Sequence, residues 1–430
     1  MASSLMSTQC PAPVLDAALG QRVFARLHEI GFDGRGMTRP SYGEGENRAH
    51  ALFESVAWEH GLEVRRDWAA NLFITIPGQN RSLPAVMTGS HADTVPCGGN
   101  FDGAAGAVAG LLVLCAWARA GYRPERDTTL IVTRAEESVW FPISYLGSRT
   151  AFGLLDPALL DTPRSDDGTS LREHMLACGA QPELCGRASV LNAADIDCFV
   201  ELHIEQGPVL LEADVPVGIV TGICGSTRYR SAVIHGQYAH SGATPRRFRS
   251  DSVMAGASMM MALHEAWRQV EAEGEEMTLT FGVCQTDPAQ ANFAAVPGRL
   301  ELVIDIRSRN EDLLERMNGL VIEQARRVES DFNVTVDLGP RTRSTPAIMD
   351  AGLQAEAEKL AASMNIPVVS MASGAGHDAA TFAGQGIPTE MLFVRNENGS
   401  HNPDESMEFD DFLYGVRLLE HLLRQRASRP

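Results

Sequence analysis

The chain has 430 residues, which at about 150 residues per domain gives two or three domains. It is 44% hydrophobic and 21% charged, a balance that can bury a large core and excludes disorder, collagen and coiled coil for the whole chain. Its 36 basic and 55 acidic residues leave a net charge of −19, which disfavours nucleic acid as a partner because phosphate binding needs clustered Lys and Arg.

No apolar run approaches the ~20 residues of a membrane span, so no membrane partner is expected. The opening MASSLMSTQCPAP has no basic region followed by an apolar stretch, so no secretory signal is expected. Cys10, Cys97, Cys115, Cys178, Cys185, Cys198, Cys224 and Cys284 are scattered without a CxxC pair. They read as reduced thiols of a cytoplasmic protein, not as a disulfide framework or a cysteine zinc site.

In chain order, residues 15–30 and 46–60 carry helical patterns, and 69–76 and 83–89 read as strands. A Gly-rich turn leads into a helix at 103–120, whose apolar, Gly/Ala-rich 106–117 stretch suits burial. Residues 128–133 form a short apolar strand ending near Glu136-Glu137, 161–191 are polar and irregular, and 197–204 return to a buried-strand pattern. From about Gly222 the order becomes strand 228–235, helix 251–271, strands 277–283 and 300–306, helix 311–328, strand 333–338. That β-α-β-β-α-β run reads as a self-contained α+β sandwich. Alternation of helix and strand then resumes with helix 351–364, strands 367–370 and 388–394, and a helix at 409–425. The expectation is an α/β domain with a mixed, mainly parallel sheet flanked by helices, in two parts (1–222 and 341–430), interrupted by an inserted α+β domain (223–340). Glycines at 222–225 and the stretch 339–345 read as hinges.

Polar residues able to bind metal cluster at the expected C-terminal ends of strands, where ligands bind in open α/β sheets. In GSHADTVPCGGNFDG, His91 offers an imidazole, and Asp93 could accept its other ring N–H and fix the tautomer. Asp102 sits at a Gly-flanked turn before a helix, and its two oxygens could bridge two ions; the bland alternative is a helix N-cap. Glu136 and Glu137 point different ways, so one can ligate while the other reaches a metal-bound water; the alternative is a solvated acidic pair. His203 shares a strand face with Glu201 and Glu205, a costly density of charge unless paired or metal-bound, with a wet edge strand as the alternative. His401 follows the last apolar strand, where a lone histidine is more often structural. Together these residues are the parts of a two-metal hydrolytic site.

With GSHADTVPCGGNFDG, EESVWFPISYLGSR, ELHIEQGP, AHSGATPRRFRSD, VPGRLELVIDIRS, SGAGHDA and NGSHNPDE in order from residue 89 to 405, the chain resembles the M20-type metallohydrolases. It is most similar to their amidase branch, which holds N-carbamoyl-L-amino acid hydrolases, β-ureidopropionases and allantoate amidohydrolases. The resemblance implies a catalytic domain like that of the binuclear-metal aminopeptidases, with the inserted domain as lid and dimerisation unit. It implies two divalent ions per chain, zinc first, with manganese, cobalt or nickel as alternatives. His91, Asp102 and His203 would hold one ion, and Asp102, Glu137 and His401 the other. Glu136 would be general base, then acid, for attack of a metal-bridging hydroxide, with Asp93 supporting His91. His240 would reach a partner subunit's site to polarise the scissile carbonyl, and Arg307 would hold the substrate carboxylate. Gln206, Gly374, Ala375 and His377 would line the site. The implied reaction cleaves a non-peptide C–N bond of an N-carbamoyl or related N-acyl amino acid in a homodimer. An aminoacylase or dipeptidase, or a non-catalytic carboxylate-binding protein, are the alternatives.

Three departures bear on substrate. Ala294 stands where the branch commonly has Asn, and Asn292 is the nearest amide able to substitute. Arg246 replaces a usual Met after Thr-Pro and is either a second anion contact or a solvated turn. Arg395-Asn396-Glu397-Asn398 replaces a Pro-Ser type loop.

Overall fold

A computed structural model describes residues 13–429, so Cys10 and most of the opening segment, where no secretory signal is expected, lie outside the described residues. The chain forms two compact units. The first runs to Thr221 and takes in Met349–Met371 and the chain from His377 onward; the second is Gly222–Ile348 with Ala372–Gly376. The elements of the first unit begin with α1 (Ala17–Gly31), α2 (Glu44–Glu59), β1 (Glu63–Arg66), β2 (Leu72–Ile76), β3 (Ala85–His91), α3 (Ala104–Ala120) and β4 (Thr128–Thr133). Then come α4 (Leu146–Ala151), α5 (Leu171–Ala177), β5 (Ile196–Ile204), α6 (Val209–Ala213) and β6 (Val217–Ile223). The second unit supplies β7 (Gly225–His235), β8 (Ala239–His240), α7 (Ser252–Ala272), β9 (Thr278–Thr286), β10 (Ala295–Val296), β11 (Arg299–Ser308), α8 (Glu311–Phe332), β12 (Thr335–Asp337), β13 (Arg341–Ser344) and β14 (Ala347–Ile348). The chain closes with α9 (Ala351–Ser363), β15 (Val368–Ser373), α10 (Ala379–Gly384), β16 (Thr389–Val394) and α11 (Phe409–Ala427).

The sheet of the first unit has the order β1-β2-β4-β3-β5-β16-β6. Its centre, β4-β3-β5-β16, is parallel, and β1, β2 and β6 flank it antiparallel. Covered on both faces, β4 and β16 are buried at every residue, so they read as apolar runs without alternation. One face packs against α1, α2, α3 and α11 through Phe24, Phe53, Trp117 and Phe412. Small residues let α3 lie close to the sheet: a Cβ at Gly106 would sit 2.1 Å from the Leu202 carbonyl oxygen. The architecture is the expected mixed α/β layer.

The second unit is an antiparallel sheet, β12-β7-β11-β9, with α7 and α8 over one face. Met259 and Leu263 of α7 and Met317 and Val321 of α8 pack on Ile234, Leu302 and Ile304. Asp251 and Asn310 cap the two helices by accepting backbone N–H groups of their first turns.

One expectation is corrected. The stretch 339–345 is not a free hinge, because Arg341–Ser344 is a strand in register with Tyr229–Ser226 of β7. Other elements go beyond what the sequence pattern predicts. Within the irregular stretch 161–191, α5 starts on a capping box made by Ser170 and Glu173, a pattern visible as S-x-x-E. β1 and β6 are short or Gly-containing and lack clear alternation. The seven described cysteines form no disulfide. Among the described residues, no helix is long and apolar enough to cross a membrane.

Candidate metal centre

Four parallel strands bring their C-terminal ends to one edge, as open α/β sheets do for their ligands. His91 is the last residue of β3, Glu136 and Glu137 follow β4, His203 is the penultimate residue of β5, and His401 follows β16. Asp102 lies in the turn before α3. That turn requires glycine: Gly103 has φ +63°, and a Cβ there would lie 2.3 Å from His91 Nε2. Gly103, not Asp102, occupies the N-cap position, and Asp102 is turned toward the histidines.

Asp102 is the focus. Its Oδ1 lies 3.2 Å from His203 Nε2 and 3.6 Å from His91 Nε2, and its Oδ2 lies 3.2 Å from His401 Nε2. Glu137 Oε1 is 3.3 Å from the same His401 nitrogen. The ligand atoms of His91, Asp102 and His203, and those of Asp102, Glu137 and His401, each fall within 4.8 Å of one another. One carboxylate therefore serves two clusters through different oxygens. His203 Nδ1 is 3.0 Å from the Ile204 carbonyl, while its Nε2 accepts from the Gly103 N–H. The carbonyl contact assigns a proton to Nδ1, and Nε2 is the ring nitrogen on the Asp102 side. Clustered imidazole nitrogens and a shared carboxylate are the donor set of a divalent transition metal, so these residues fit a two-metal centre.

Glu136 Oε2 lies 3.9 Å from His91 Nε2. Glu136 and Glu137 are 8% and 7% exposed, so they are not a solvated surface pair. Burial pushes the Glu136 carboxyl well above the usual range, against the pull of His91 and with help from Glu137, Asp378 and Asp93. Burial also raises Glu137. Burial alone would raise Asp102, but His203, His401 and His91 hold it well below the usual carboxylate range. Burial opposes charge on His401, yet Asp102 and Glu137 raise it to about 11.

Further residues orient these groups. His91 Nδ1 lies 3.1 Å from the Asp93 carbonyl and 3.3 Å from its Oδ1. Asp93 also accepts from Ser41 Oγ and from the backbone N–H groups of Glu136 and Glu137. Gln206 donates to Asp102 Oδ2 at 2.8 Å. Ser400 Oγ donates to the same oxygen, and Glu405 accepts from the Phe101 and Asp102 N–H groups. Ser400, Glu405 and Ser41 are not among the site residues expected from the sequence, although the first two stand in NGSHNPDE beside His401. The two glutamates flanking His203 part company: Glu201 accepts from Ser90 Oγ and Ala379 N–H, whereas Glu205 accepts from Val209 and Leu210 N–H at the start of α6. β5 is a central strand, so its polar residues do not form a wet edge. His377 is buried edge-on to His203 at 4.4 Å between ring centroids, and burial with the neighbouring His203 keeps it neutral.

The remaining candidates belong to the second unit. His240 is exposed on β8, and its Nδ1 accepts from the Gly242 and Ala243 N–H groups and so caps the turn that follows. Arg307 places Nε and Nη2 on Asp305 Oδ2 at 3.0 and 2.9 Å, and Nη1 on the Gly374 carbonyl at 2.9 Å. The Ala375 carbonyl accepts from Ser373 Oγ. Asn292 spends its amide locally, donating to the Gln290 carbonyl and accepting from the Ala294 N–H. Arg246 is exposed in a short 3-10 turn beyond His240.

Residues 87–425 match the family described as peptidase family M20/M25/M40. The chain is 33% identical to an N-carbamoyl-L-amino acid amidohydrolase of Geobacillus stearothermophilus over 415 residues, covering 95% of this chain and 99% of that one. It is 33% identical to an allantoate amidohydrolase of Escherichia coli (strain K12), covering 91% and 93%. A crystal structure of an amidase of the hydantoinase/carbamoylase family from Burkholderia multivorans superposes with a TM-score of 0.85 at 26% identity, covering 98% of this chain and 100% of that one. The chain belongs to peptidase family M20/M25/M40.

Proposed function

We propose that this hydrolase of carbon–nitrogen bonds other than peptide bonds acts on an N-carbamoyl or related N-acyl amino acid. On a carbamoyl substrate it would release the amino acid, ammonia and carbon dioxide. The observation that carries the reading is the double focus on Asp102, with Glu136 beside it and unused by either cluster. The 33% identity to an N-carbamoyl-L-amino acid amidohydrolase supports the substrate class.

In this reading His91, Asp102 and His203 hold one divalent ion, and Asp102, Glu137 and His401 the other, with zinc first and manganese, cobalt or nickel as alternatives. Such ions supply Lewis acidity toward a carbonyl oxygen and lower the pKa of water. Glu136, raised by burial, takes a proton from the attacking water and delivers it to the nitrogen as the C–N bond breaks. Asp93 holds His91 and the Glu136–Glu137 backbone in place. Gln206 steadies Asp102 while facing the substrate. Arg307 pairs with the substrate carboxylate through a guanidinium partly engaged by Asp305. Gly374, Ala375 and His377 line the substrate path. His240 offers its outward nitrogen to the scissile carbonyl of a partner subunit in a cytoplasmic homodimer formed through the second unit.

The test joins metal removal with one substitution. Chelation should abolish turnover of N-carbamoyl amino acids, and zinc, manganese, cobalt or nickel should restore it. Glu136→Gln should keep about two ions per chain by elemental analysis and lose turnover by roughly 10²–10⁴-fold. Full turnover in a verified metal-free sample, or normal turnover in Glu136→Gln, rejects the mechanism. Ammonia and amine release across ureides, N-acyl amino acids and dipeptides reads the substrate class.

A further inference from the structure

Three residues of the first unit other than glycine adopt left-handed backbone conformations around one buried ion pair: Tyr42 (φ +51°), Ala70 (φ +64°) and Ala135 (φ +52°). The pair is Glu46 on α2 and Arg134 after β4, 2.9 Å apart, with both side chains fully buried. Glu46 Oε2 accepts from the Tyr42 N–H at 2.7 Å, and Oε1 accepts from the Ala135 N–H at 2.8 Å. Arg134 Nε donates to the Ala70 carbonyl at 3.1 Å. Asn71 accepts from the Arg134 N–H, and Asp67 holds Asn71 in turn. L-residues avoid this region because Cβ crowds the following carbonyl, so such conformations persist only where the surroundings over-determine them. Ala135 immediately precedes Glu136 and Glu137, and its φ sets the direction in which both carboxylates leave β4.

We infer that Glu46 is a positioning residue of the hydrolytic site: through Arg134 and the Ala135 N–H it holds the left-handed kink that aims Glu136 and Glu137. The inference rests on the proposed roles of those two residues. Glu46 is fully buried and belongs to neither ligand cluster. Its effect passes through one peptide unit, and Asp93 secures the same segment from the other side by accepting the next two N–H groups.

The test shortens the clamp and then relieves the strain. Glu46→Asp keeps the buried charge opposite Arg134 but withdraws the carboxylate by one methylene. It should lower kcat on the order of 10²-fold with little change in KM, since misplacement of a reacting group by about 1 Å costs that much. Calorimetric titration of the metal-free protein with Zn²⁺ should show weakened binding at one of two sites, because Glu137 moves too. Glycine occupies left-handed backbone without strain, so Ala135→Gly added to Glu46→Asp should recover part of both losses while changing little by itself. If Glu46→Asp does not fold, Glu46→Gln combined with Arg134→Met removes both charges together, and the same comparisons apply. A folded variant with unchanged kcat and zinc binding, or losses that Ala135→Gly leaves untouched, overturns the inference. Of the two residues that the kink aims, the zinc titration reads Glu137 and not Glu136. Should Glu136→Gln prove active, the base assignment fails while the clamp is still read.

Discussion

Gly103 sits between two ligands with no room for a side chain. Its φ of +63° with ψ −46° lies outside the left-handed helical well and costs an L-residue about 1–3 kcal/mol, and a Cβ there would overlap the His91 ring at 2.3–2.4 Å. Gly103→Ala is therefore expected to displace His91 as well as strain the turn. The expected outcome is a loss of about 2 kcal/mol or more in the metal-free protein, read by urea unfolding, together with weaker zinc binding by titration. Zinc binding as tight as in the parent chain would show that His91 escapes this crowding. The same crowding explains why the motif places Gly98-Gly99 and Gly103 around Asp102: a Cβ at Gly99 would meet the Glu405 carboxyl at 2.1 Å.

Helices of the two units make opposite demands on glycine. On α3, a Cβ at Gly106 would lie 2.1 Å from a β5 carbonyl, so Gly106→Ala must push the helix off the sheet that carries His91 and His203. On α8, a Cβ at Gly319 meets nothing within 4 Å, in the interior of a long helix. Gly319→Ala should stabilise by about 0.5–1 kcal/mol through helix propensity, whereas Gly106→Ala should destabilise by roughly 2 kcal/mol or more. Thermal unfolding of the two variants beside the parent decides it, and a stabilised Gly106→Ala would refute the close packing of α3.

Over the whole molecule, burial stores protons. Glu390, fully buried on β16, is pushed up to about 9 from an ordinary 4.5 by burial. Burial also raises Glu201 and Glu405 to about 7, the former with Asp378 and the latter with Asp102 nearby. A carboxyl raised in the folded state keeps a proton that the unfolded chain releases above about 4.5. The unfolded state then binds fewer protons, and stability falls as pH rises from about 4.5 until the folded value is passed. The metal-free protein should therefore lose stability steadily from about pH 5 to pH 9. Glu390→Gln should flatten that decline, read as denaturant midpoints at both ends, and an unchanged slope would show that Glu390 is already ionised when folded.

Composition and strand pattern were enough to indicate a mixed α/β layer, and residue chemistry drew attention to His91, Asp102, Glu136, Glu137, His203 and His401, which the fold brings close together, because apolar periodicity and ligand type are local properties of the chain. Tertiary structure decided what each polar group touches. Glu201 and Glu205 share a strand face with His203, yet one braces Ala379 and the other caps α6. Glu46 and Arg134 meet across 88 residues, and Ser148 and Asp378 across 230. Such pairings depend on how helices and strands pack after their faces are set, and no local pattern in the sequence carries that information.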